Sequence, residues 1–381
     1  MEIREFSKKN YDYSAPLHFH FKPHKGWVND PNGLVYFNGY YHLFFQYCPD
    51  TEYPFKEQHM HWGHARTKDF INWEEMPVAL YPDSPYDNEG CWSGTAIVKD
   101  DTLYVFYASI HTPEGADRRV ESVSIAYSKD GINFEKYENN PVIPHFPEGD
   151  GFPDFRDPAV TFINGKYYCV MATGTGTGPE TPKVARLLIY ESDDLLHWNY
   201  GGIAAEWEDS IFAECPSITP DGDKVFLSCS VVPTNWKHYF YAMRGSLENL
   251  KYTPEIKGCY DRGPDQYAGQ VFRDDKGRNL HITWIPGWYL KLERCAGTWS
   301  VPREITFKNG KVYGYPVKEV QHLLKDSDPL VVMTEDGFTV ERTDREPLIH
   351  KGKIDDIKIL RDGYILEIFV NGGEDVYSVL L

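Results

Sequence analysis

The stretch Ala65-Arg66-Thr67-Lys68-Asp69-Phe70-Ile71-Asn72-Trp73 recurs along the chain in related form. Similar stretches occupy 126–134 and 190–198, and a weaker copy occupies 243–252. Their closing aromatic residues lie about 54 to 64 residues apart, which is enough chain for a unit of four strands. The repeat therefore predicts β units arranged as propeller blades, with room for a fifth before about residue 315. The alternative is a set of unrelated hairpins that share turn chemistry.

The chain between these copies consists of short apolar or alternating runs bounded by turn residues. Examples are 41–45, 103–107 and 167–171, and the turns include Asn38-Gly39 and Asn164-Gly165. Such runs indicate β-hairpins, and stretches of helical periodicity are almost absent. We therefore predict an all-β fold.

The chain is expected to divide into three segments. Residues 1–315 form the propeller domain. Apolar residues then fall at helical spacing, at Val317, Val320, Leu323 and Leu324. This spacing predicts a linker helix over 316–325. Residues 326–381 again indicate short strands, and we expect this C-terminal β module to pack on the propeller, because so short a unit rarely buries enough apolar surface to be stable alone.

The composition argues against nucleic acid and membranes as partners. The 39 Lys and Arg and 57 Asp and Glu residues give a formal net charge of −18, which repels phosphate backbones and anionic lipid. Apolar runs long enough to span a membrane are absent from the sequence. Aromatic residues make up 15% of the chain, with 10 Trp and 27 Tyr. This surplus suits a small carbohydrate, whose C–H faces stack on aromatic rings.

The seven cysteines are widely spread and include no Cys-x-x-Cys pair. An odd number without close pairs indicates reduced thiols rather than a disulfide framework. Residues 1–9 lack the apolar stretch of a signal peptide. We therefore expect a cytoplasmic protein, and both a monomer and a homodimer stay open.

Three acidic residues occupy settings typical of rigid, functional carboxylates. Asp30 lies between Trp27 and a turn rich in Asn, Pro and Gly, which are residues that build sharp turns. Asp157 sits beside Arg156 and before a proline, and Glu214 lies among small and apolar neighbours. Taken singly, each acid is explained as well by a satisfied turn carboxylate.

A propeller brings the inner strands of its blades to one central funnel, so acids from different blades can meet there. Glycoside cleavage needs one ionised carboxylate and one protonated carboxylic acid. Glu214 is predicted to be the protonated acid, because desolvation by Ile211 and Phe212 disfavours its charged form and raises its pKa. Asp157 is predicted to stay ionised beside Arg156 and to bind sugar hydroxyls.

Nearly the whole chain resembles glycoside hydrolase family 32, which includes invertases, sucrose-6-phosphate hydrolases, inulinases and levanases. The motifs that carry the resemblance are 27–33, 46–49, 62–65, 92–96, 155–158, 214–216, 265–270, 300–304 and 367–374. The resemblance implies a five-bladed β-propeller followed by a β-sandwich, here truncated to a small sandwich-like module. It also implies retaining cleavage of terminal β-D-fructofuranosyl units through a covalent fructosyl-enzyme.

The resemblance also implies a role for each acid. Asp30 would attack the anomeric carbon, while Glu214 would protonate the leaving oxygen and then act as a base toward water. Asp157 would hold two fructose hydroxyls, with Arg156 orienting the acids. Retention of configuration implies that the carboxyl groups of Asp30 and Glu214 lie about 5–5.5 Å apart. The residues expected to bind substrate are Trp27, Asn29, Gln46, Trp62, Trp92, Ser93, Arg156 and Cys215.

The sequence departs from the family pattern on the leaving-group side. The tryptophan that usually precedes the Trp62 motif is missing, so either Phe55 or Tyr53 takes its place or the subsite differs. Ser217 and Gln266 stand where an aspartate and an aromatic residue are usual. The substrate therefore stays open among sucrose, sucrose-6-phosphate and short fructo-oligosaccharides. Fructosyl transfer to a sugar and a non-catalytic sugar-binding propeller are the alternative functions.

Two groups of histidines could be read as metal sites. They are His18, His20 and His24, and His59, His61 and His64. Alternate residues of a strand share a face, which allows histidines to converge on a metal ion. Retaining fructosidases need no metal, so we predict structural histidines and neither a metal nor another cofactor.

Overall fold

The computed structural model describes residues 16–52, 59–178, 181–236, 238–288, 291–292, 294–343 and 345–381. Over these ranges the chain folds almost entirely into β-strands joined by turns, which confirms the all-β prediction. The helical structure within the described ranges is one 3-10 turn, Gln321–Leu323. No helix in this part of the chain is long and apolar enough to cross a bilayer.

Five antiparallel sheets account for most of the chain up to Pro316. The first contains β1 (Gly26–Phe37), β2 (Tyr40–Cys48), β3 (His61–Thr67) and β4 (Trp73–Leu80). The second contains β5 (Gly90–Lys99), β6 (Thr102–His111), β7 (Val120–Ser128) and β8 (Glu135–Lys136). The third contains β9 (Asp154–Ile163), β10 (Lys166–Gly174), β11 (Val184–Ser192) and β12 (Asn199–Glu208). The fourth contains β13 (Ser210–Asp221), β14 (Lys224–Pro233), β15 (Tyr239–Glu248) and β16 (Lys251–Gly258).

The fifth sheet is interrupted by a return of the chain to the first sheet. It begins with β17 (Tyr267–Arg273) and β18 (Asn279–Ile285). The short strands β19 (Lys291–Leu292) and β20 (Cys295–Ala296) then join the first sheet. The fifth sheet is completed by β21 (Thr298–Trp299), β22 (Arg303–Lys308) and β23 (Lys311–Pro316).

The first strands of the five sheets form a closed ring. β1 lies against β5, β5 against β9, β9 against β13 and β13 against β17, and β17 returns to β1. β20 reinforces the closure by pairing in parallel with β1, with Gly26 opposite Cys295 and Trp27 opposite Ala296. Apolar clusters fill the spaces between neighbouring sheets. Burial of these side chains is the main favourable contribution to folding.

The recurring sequence stretch is a turn between the third and fourth strands of a sheet. In the first copy, the carboxylate of Asp69 accepts hydrogen bonds from the backbone N–H groups of Ile71 and Asn72 at 3.0 and 2.8 Å. Asp130 and Asp194 accept the equivalent bonds in the second and third copies. Aspartate favours such turns because its short side chain reaches the backbone two residues on. These three copies are therefore equivalent structural units, as the sequence predicted.

The first strand of each sheet contains a β-bulge in its N-terminal half. The bulges lie at 29–30 in β1, at Ser93 in β5, at 157–158 in β9, at 215–216 in β13 and at 268–269 in β17. A bulge inserts one extra residue into a strand and redirects its side chains. Each predicted catalytic acid lies in one of these bulges or next to it.

The linker predicted to be a helix over 316–325 is instead a loop with the single 3-10 turn. The side-chain amide of Gln321 donates to the carbonyl of Pro316 at 2.8 Å, and Leu324 already has extended backbone angles. Val317 and Val320 are both fully buried. One turn is thus enough to bury the apolar residues whose spacing suggested a longer helix.

Two three-stranded sheets make up the C-terminal part of the chain. They are β24 (Val332–Thr334), β25 (Gly337–Val340) and β26 (Leu348–Lys351), and β27 (Ile357–Asp362), β28 (Ile365–Val370) and β29 (Asp375–Leu380). One apolar cluster joins these two sheets. Phe369 and Val376 also pack into the cluster that contains Phe226 and Val271 of the fourth and fifth sheets. The C-terminal module therefore packs on the ring.

A buried polar network links this module to the N-terminal segment and the fifth sheet. His20 contacts Asp362 (Nδ1–Oδ2, 3.0 Å) and Glu367 (Nε2–Oε1, 2.7 Å). Arg303 pairs with the other oxygen of Glu367 and with Asp261, and all five side chains are excluded from solvent. Burial lowers the pKa of His20, but the two carboxylates outweigh burial and raise the pKa to about 9. The histidine is therefore charged at neutral pH.

We expect His20→Ala to destabilise the protein near neutral pH by about 3 kcal/mol, because it leaves buried carboxylates without their partner. The pKa of His20 is raised in the folded state from 6.5 to about 9. Its contribution is therefore complete below pH 6.5 and is lost as the pH rises through 9. Urea unfolding should show a larger deficit at about pH 6.5 than at about pH 10.

The matched control is Lys353→Ala, which removes an exposed ion pair with Asp355. This change should alter the free energy of unfolding by less than about 1 kcal/mol at either pH. If the deficit of His20→Ala were equal at both pH values, the charge of His20 would not contribute to stability.

Candidate active site

The bulged inner strands bring the three predicted acids to one site. Cys215 connects two of them, since its backbone N–H donates to Asp157 Oδ2 at 2.8 Å and its thiol donates to Asp30 Oδ2 at 3.3 Å. Glu214 directly precedes Cys215, and its negative charge raises the pKa of both aspartates. Three strands that are far apart in the sequence therefore contribute one acid each to the same site.

Asp30 is held by donors on both of its oxygens. Ser93 Oγ donates to Oδ2 at 2.6 Å, and Asn29 Nδ2 donates to Oδ1 at 3.1 Å. Asn29 is itself fixed by Trp27, whose Nε1 donates to its side-chain oxygen at 2.9 Å, and by Trp299, whose Nε1 donates to its carbonyl at 2.8 Å. Burial raises the pKa of Asp30, and the hydrogen bonds oppose that rise. The result is a carboxylate with a fixed orientation.

Glu214 has the opposite protonation from the one predicted. Burial alone raises its pKa, as expected. However, Arg156 Nη2 donates to Oε1 at 2.8 Å, and the Tyr267 hydroxyl donates to Oε2. These partners outweigh burial and bring the pKa of Glu214 below its ordinary value. The prediction of a protonated Glu214 in the free site was therefore wrong, because both partners come from other strands.

Asp157 also differs from its prediction, which relied on Arg156 to keep it ionised. Asp157 is only 3% exposed, and burial raises its pKa to about 7, with Asp30 and Glu214 adding to the rise and Arg156 opposing it. The guanidinium of Arg156 forms its ion pairs with other carboxylates. The charge of Arg156 therefore lowers the pKa of Asp157 without outweighing its burial.

Two residues of the site have a left-handed backbone conformation. The φ angles of Asp157 and Cys215 are 60° and 49°, and both residues lie in bulges. Such angles cost a non-glycine residue about 1 kcal/mol or more and tend to occur at functional sites. The hydrogen bond from Cys215 N–H to Asp157 joins these two strained positions.

Arg156 is the positive centre of the site. Besides Glu214, its Nη1 contacts Glu121 Oε2 and Asp154 Oδ1 at 3.3 and 3.2 Å. Arg119 also pairs with Glu121, at 2.7 Å. Both arginines are thus balanced by carboxylates, which fixes the guanidinium that orients Glu214.

The predicted substrate-binding residues differ in their exposure. Trp92 is partly exposed, and Arg119 lies over its ring at 4.4 Å from the centroid. Trp27 and Trp62 are buried, at 1% and 0% exposure, and Trp62 Nε1 donates to the carbonyl of Trp92 at 2.9 Å. Gln46 is also buried, and its Nε2 donates to the Cys91 carbonyl at 3.0 Å. Trp27, Trp62 and Gln46 therefore position the residues around the acids, and their contact with sugar stays a prediction.

Tyr267 and Glu121 belong to the site although the sequence did not single them out. Tyr267 lies in the 265–270 motif at the start of β17, so the motif offered a signal for it. Glu121 lies in an unremarkable apolar strand, and its partner Arg156 is 35 residues away. Only the fold could reveal this pair.

Three of the six histidines considered as metal ligands have other polar contacts for their rings. His20 belongs to the buried network, His64 Nε2 lies 2.9 Å from His42 Nδ1, and His61 Nδ1 lies 2.8 Å from the His59 carbonyl. Within the described ranges there is no group of three or more side chains that could hold a metal ion. Phe55 and Tyr53, expected beside the sugar, lie outside the described residues.

Carboxyl groups from different strands that meet in one site are the groups that glycoside cleavage uses. The family model described as "Glycosyl hydrolases family 32 N-terminal domain" matches residues 20–316. The chain belongs to this family, and its N-terminal sheets form a β-propeller.

Individual relatives agree with this assignment. A raffinose invertase of Escherichia coli is 32% identical over 340 residues, which cover 82% of this chain and 67% of the relative. A sucrose-6-phosphate hydrolase of E. coli is 34% identical over 327 residues, which cover 80% and 65%. The chain thus spans about two thirds of the length of these relatives. The solved structure of a Bombyx mori GH32 β-fructofuranosidase is 26% identical with a TM-score of 0.81, covering 96% of this chain and 89% of that one.

We expect Tyr267→Phe to raise the pKa of Glu214, because the phenol stabilises the charged carboxylate and a phenyl ring cannot. Loss of one such bond should lower the acid dissociation constant of Glu214 by about tenfold. The measurement is a ¹³C NMR titration of glutamate-labelled protein, in which Glu214→Gln identifies the signal. Tyr81→Phe, at a half-exposed tyrosine, should leave the titration unchanged. An unshifted curve for Tyr267→Phe would contradict the assigned role.

Proposed function

We propose that the protein is a retaining β-fructofuranosidase that hydrolyses terminal β-D-fructofuranosyl units through a covalent fructosyl-enzyme. The observation that carries this proposal is the meeting of Asp30, Asp157 and Glu214 around Cys215. Relatives named invertase, sucrose-6-phosphate hydrolase and levanase support a β-fructoside as substrate. A complex of a Bombyx mori family member with sucrose supports it as well.

Asp30 is the nucleophile in this proposal. Its carboxylate attacks the anomeric carbon of fructose, and the bond from that carbon to the leaving oxygen breaks. Ser93 and Asn29 already hold both carboxylate oxygens, so little reorganisation is needed to reach the attacking geometry. Burial supports the same role, because it deprives the negative charge of water.

Glu214 supplies the proton that the leaving oxygen takes. In the free site Arg156 and Tyr267 lower its pKa. A bound sugar displaces water from the carboxylate, and this further desolvation raises the pKa toward the protonated form. Ester formation then removes the negative charge of Asp30, which lowers the pKa of Glu214 again. The deprotonated carboxylate is suited to activate the water that releases fructose.

Asp157 binds fructose hydroxyls in this proposal. With a pKa of about 7 it is partly protonated in the free site near neutral pH. Hydroxyl groups that donate to the ionised form lower that pKa. Substrate binding therefore ionises Asp157, and its negative charge then stabilises the positive charge that develops on the fructose ring.

The architecture in this proposal is a propeller of five blades with a small sandwich-like module. The closed ring of β1, β5, β9, β13 and β17 supports the blade count. The apolar cluster shared by the last two sheets supports a sandwich. We place the domain limits at 1–315, 316–325 and 326–381.

The seven cysteines are all unpaired and six are buried, which supports a reducing compartment such as the cytoplasm.

We expect Asp30→Ala to reduce sucrose turnover by roughly 10⁴-fold or more, because the covalent intermediate cannot form. Glu214→Ala should reduce it by about 10²–10⁴-fold, since the proton donor is lost. Release of fructose and glucose measures both effects. Glu255→Ala, at a partly exposed acid paired with Lys224, should keep full activity. Normal turnover by Asp30→Ala would refute the proposed mechanism.

The substrate range is tested with sucrose, sucrose-6-phosphate, and inulin-type and levan-type oligosaccharides. We expect fructose as the product, released one unit at a time from the fructosyl end, because one fructosyl unit is transferred per covalent intermediate. Chromatography at early times separates fructose from elongated products. Accumulation of longer saccharides would instead identify a fructosyltransferase.

A further inference from the structure

Trp236 stands at the tip of the turn between β14 and β15. Its backbone N–H donates to the Pro233 carbonyl at 2.9 Å, and Thr234 N–H donates to the Asp209 carbonyl at 2.9 Å. The side chain of Trp236 is 51% exposed. Among the tryptophans that the structure describes, Trp236 has the most exposed side chain.

The backbone of Trp236 is unusual for so large a residue. Its φ angle is 60°, in the left-handed region that bulky side chains seldom adopt. An exposed indole in a strained turn contributes little to folding. Backbone strain of this kind is often retained at functional sites.

The turn lies beside the proposed proton donor. β14 pairs with β13, and Ser230 stands opposite Glu214 in that pairing. Beyond the turn, the ring of His238 packs on that of Tyr267, with centroids 4.6 Å apart. The Tyr267 hydroxyl donates to Glu214. Burial lowers the pKa of His238, and the nearby negative charge of Glu214 opposes that decrease. The segment that carries Trp236 therefore borders the Glu214 side of the site.

This is the side from which the leaving group departs, because Glu214 gives its proton to the leaving oxygen in the proposed reaction. Trp27, by contrast, is buried and offers no open face to solution. An exposed aromatic ring is suited to a sugar, because sugar C–H groups pack on the ring face while the hydroxyl groups stay in water.

We propose that Trp236 is a specificity residue that binds the leaving-group sugar of the substrate by stacking against its apolar face. The inference rests on the proposed function, since it assumes that Glu214 protonates a sugar leaving group. Its ligand class is a neutral monosaccharide unit linked to fructose. A substrate whose leaving group is too small to reach the turn should bind equally well with or without Trp236.

The test compares sucrose with methyl β-D-fructofuranoside, which presents the same fructose unit but only methanol as leaving group. For sucrose, Trp236→Ala should raise KM by about tenfold, and Trp236→Phe should restore much of the affinity. Both variants should cleave the methyl fructoside with unchanged kcat and KM. The control is Phe162→Ala, at an equally exposed aromatic residue (49%) at the other end of β9 from Asp157.

The outcomes separate this inference from the function on which it rests. Equal losses on both substrates would show a merely structural role for Trp236, and no loss on sucrose would show no contact, so either result overturns the inference. A wild-type protein that cleaved neither fructoside would instead refute the proposed function itself.

Discussion

The β-bulge in each inner strand is the constraint on which the site depends. In a regular strand, successive side chains face opposite sides of the sheet, so neighbouring residues cannot both serve one pocket. The extra residue of a bulge removes this restriction. Asn29 can therefore donate to the acid that follows it, and Cys215 can hold Asp30 and Asp157 beside Glu214. The cost includes left-handed backbone at three bulge positions, Asp157, Cys215 and Ala268, which the paired strands around them offset.

Three carboxylates in one buried site repel one another, and the hydrogen-bond donors and charges around each acid determine in which direction its pKa shifts. Glu214 receives the guanidinium of Arg156 and the phenol of Tyr267, so its pKa falls. Asp30 and Asp157 receive neutral donors, and burial raises the pKa of both. Environments that drive the pKa values of neighbouring acids apart give those acids different roles. In the free site Glu214 is thus the acid whose charged form its neighbours favour most, and in the proposed reaction the bound substrate has to raise its pKa before the leaving group departs.

Local features of the structure were accessible from the sequence, and remote ones were not. The turn at Asp69, Asp130 and Asp194 needs only a few neighbouring residues, so its repetition predicted the sheet units. The acids were found because each lies in a motif with its own turn residues. By contrast, Tyr267 is 53 residues from Glu214, and no local pattern connects them.

One other failure has a similar physical cause. The apolar spacing at Val317 and Val320 predicted a helix, but one 3-10 turn buries the same side chains. For the motif tryptophans Trp27 and Trp62, contact with the sugar stays a prediction, because aromatic residues serve equally well as packing under a site. Periodicity and residue type indicate that a side chain prefers burial, but they do not indicate what buries it.

The C-terminal module explains how a strand that closes a ring can hold a nucleophile in place. β1 carries Asp30 and pairs with β2 between Trp27 and Phe37, and among the described residues its other edge pairs with Cys295 and Ala296 of β20. Side chains add further support: Trp299 donates to the carbonyl of Asn29, and two residues further on, Val301 N–H donates to Glu367 at 2.8 Å. Glu367 is the carboxylate shared by His20 and Arg303 in the buried network. The module therefore reaches Asn29, which donates to Asp30, through a short chain of contacts. The C-terminal module thus contributes to the site, because it anchors the segment whose Trp299 holds Asn29 beside the nucleophile.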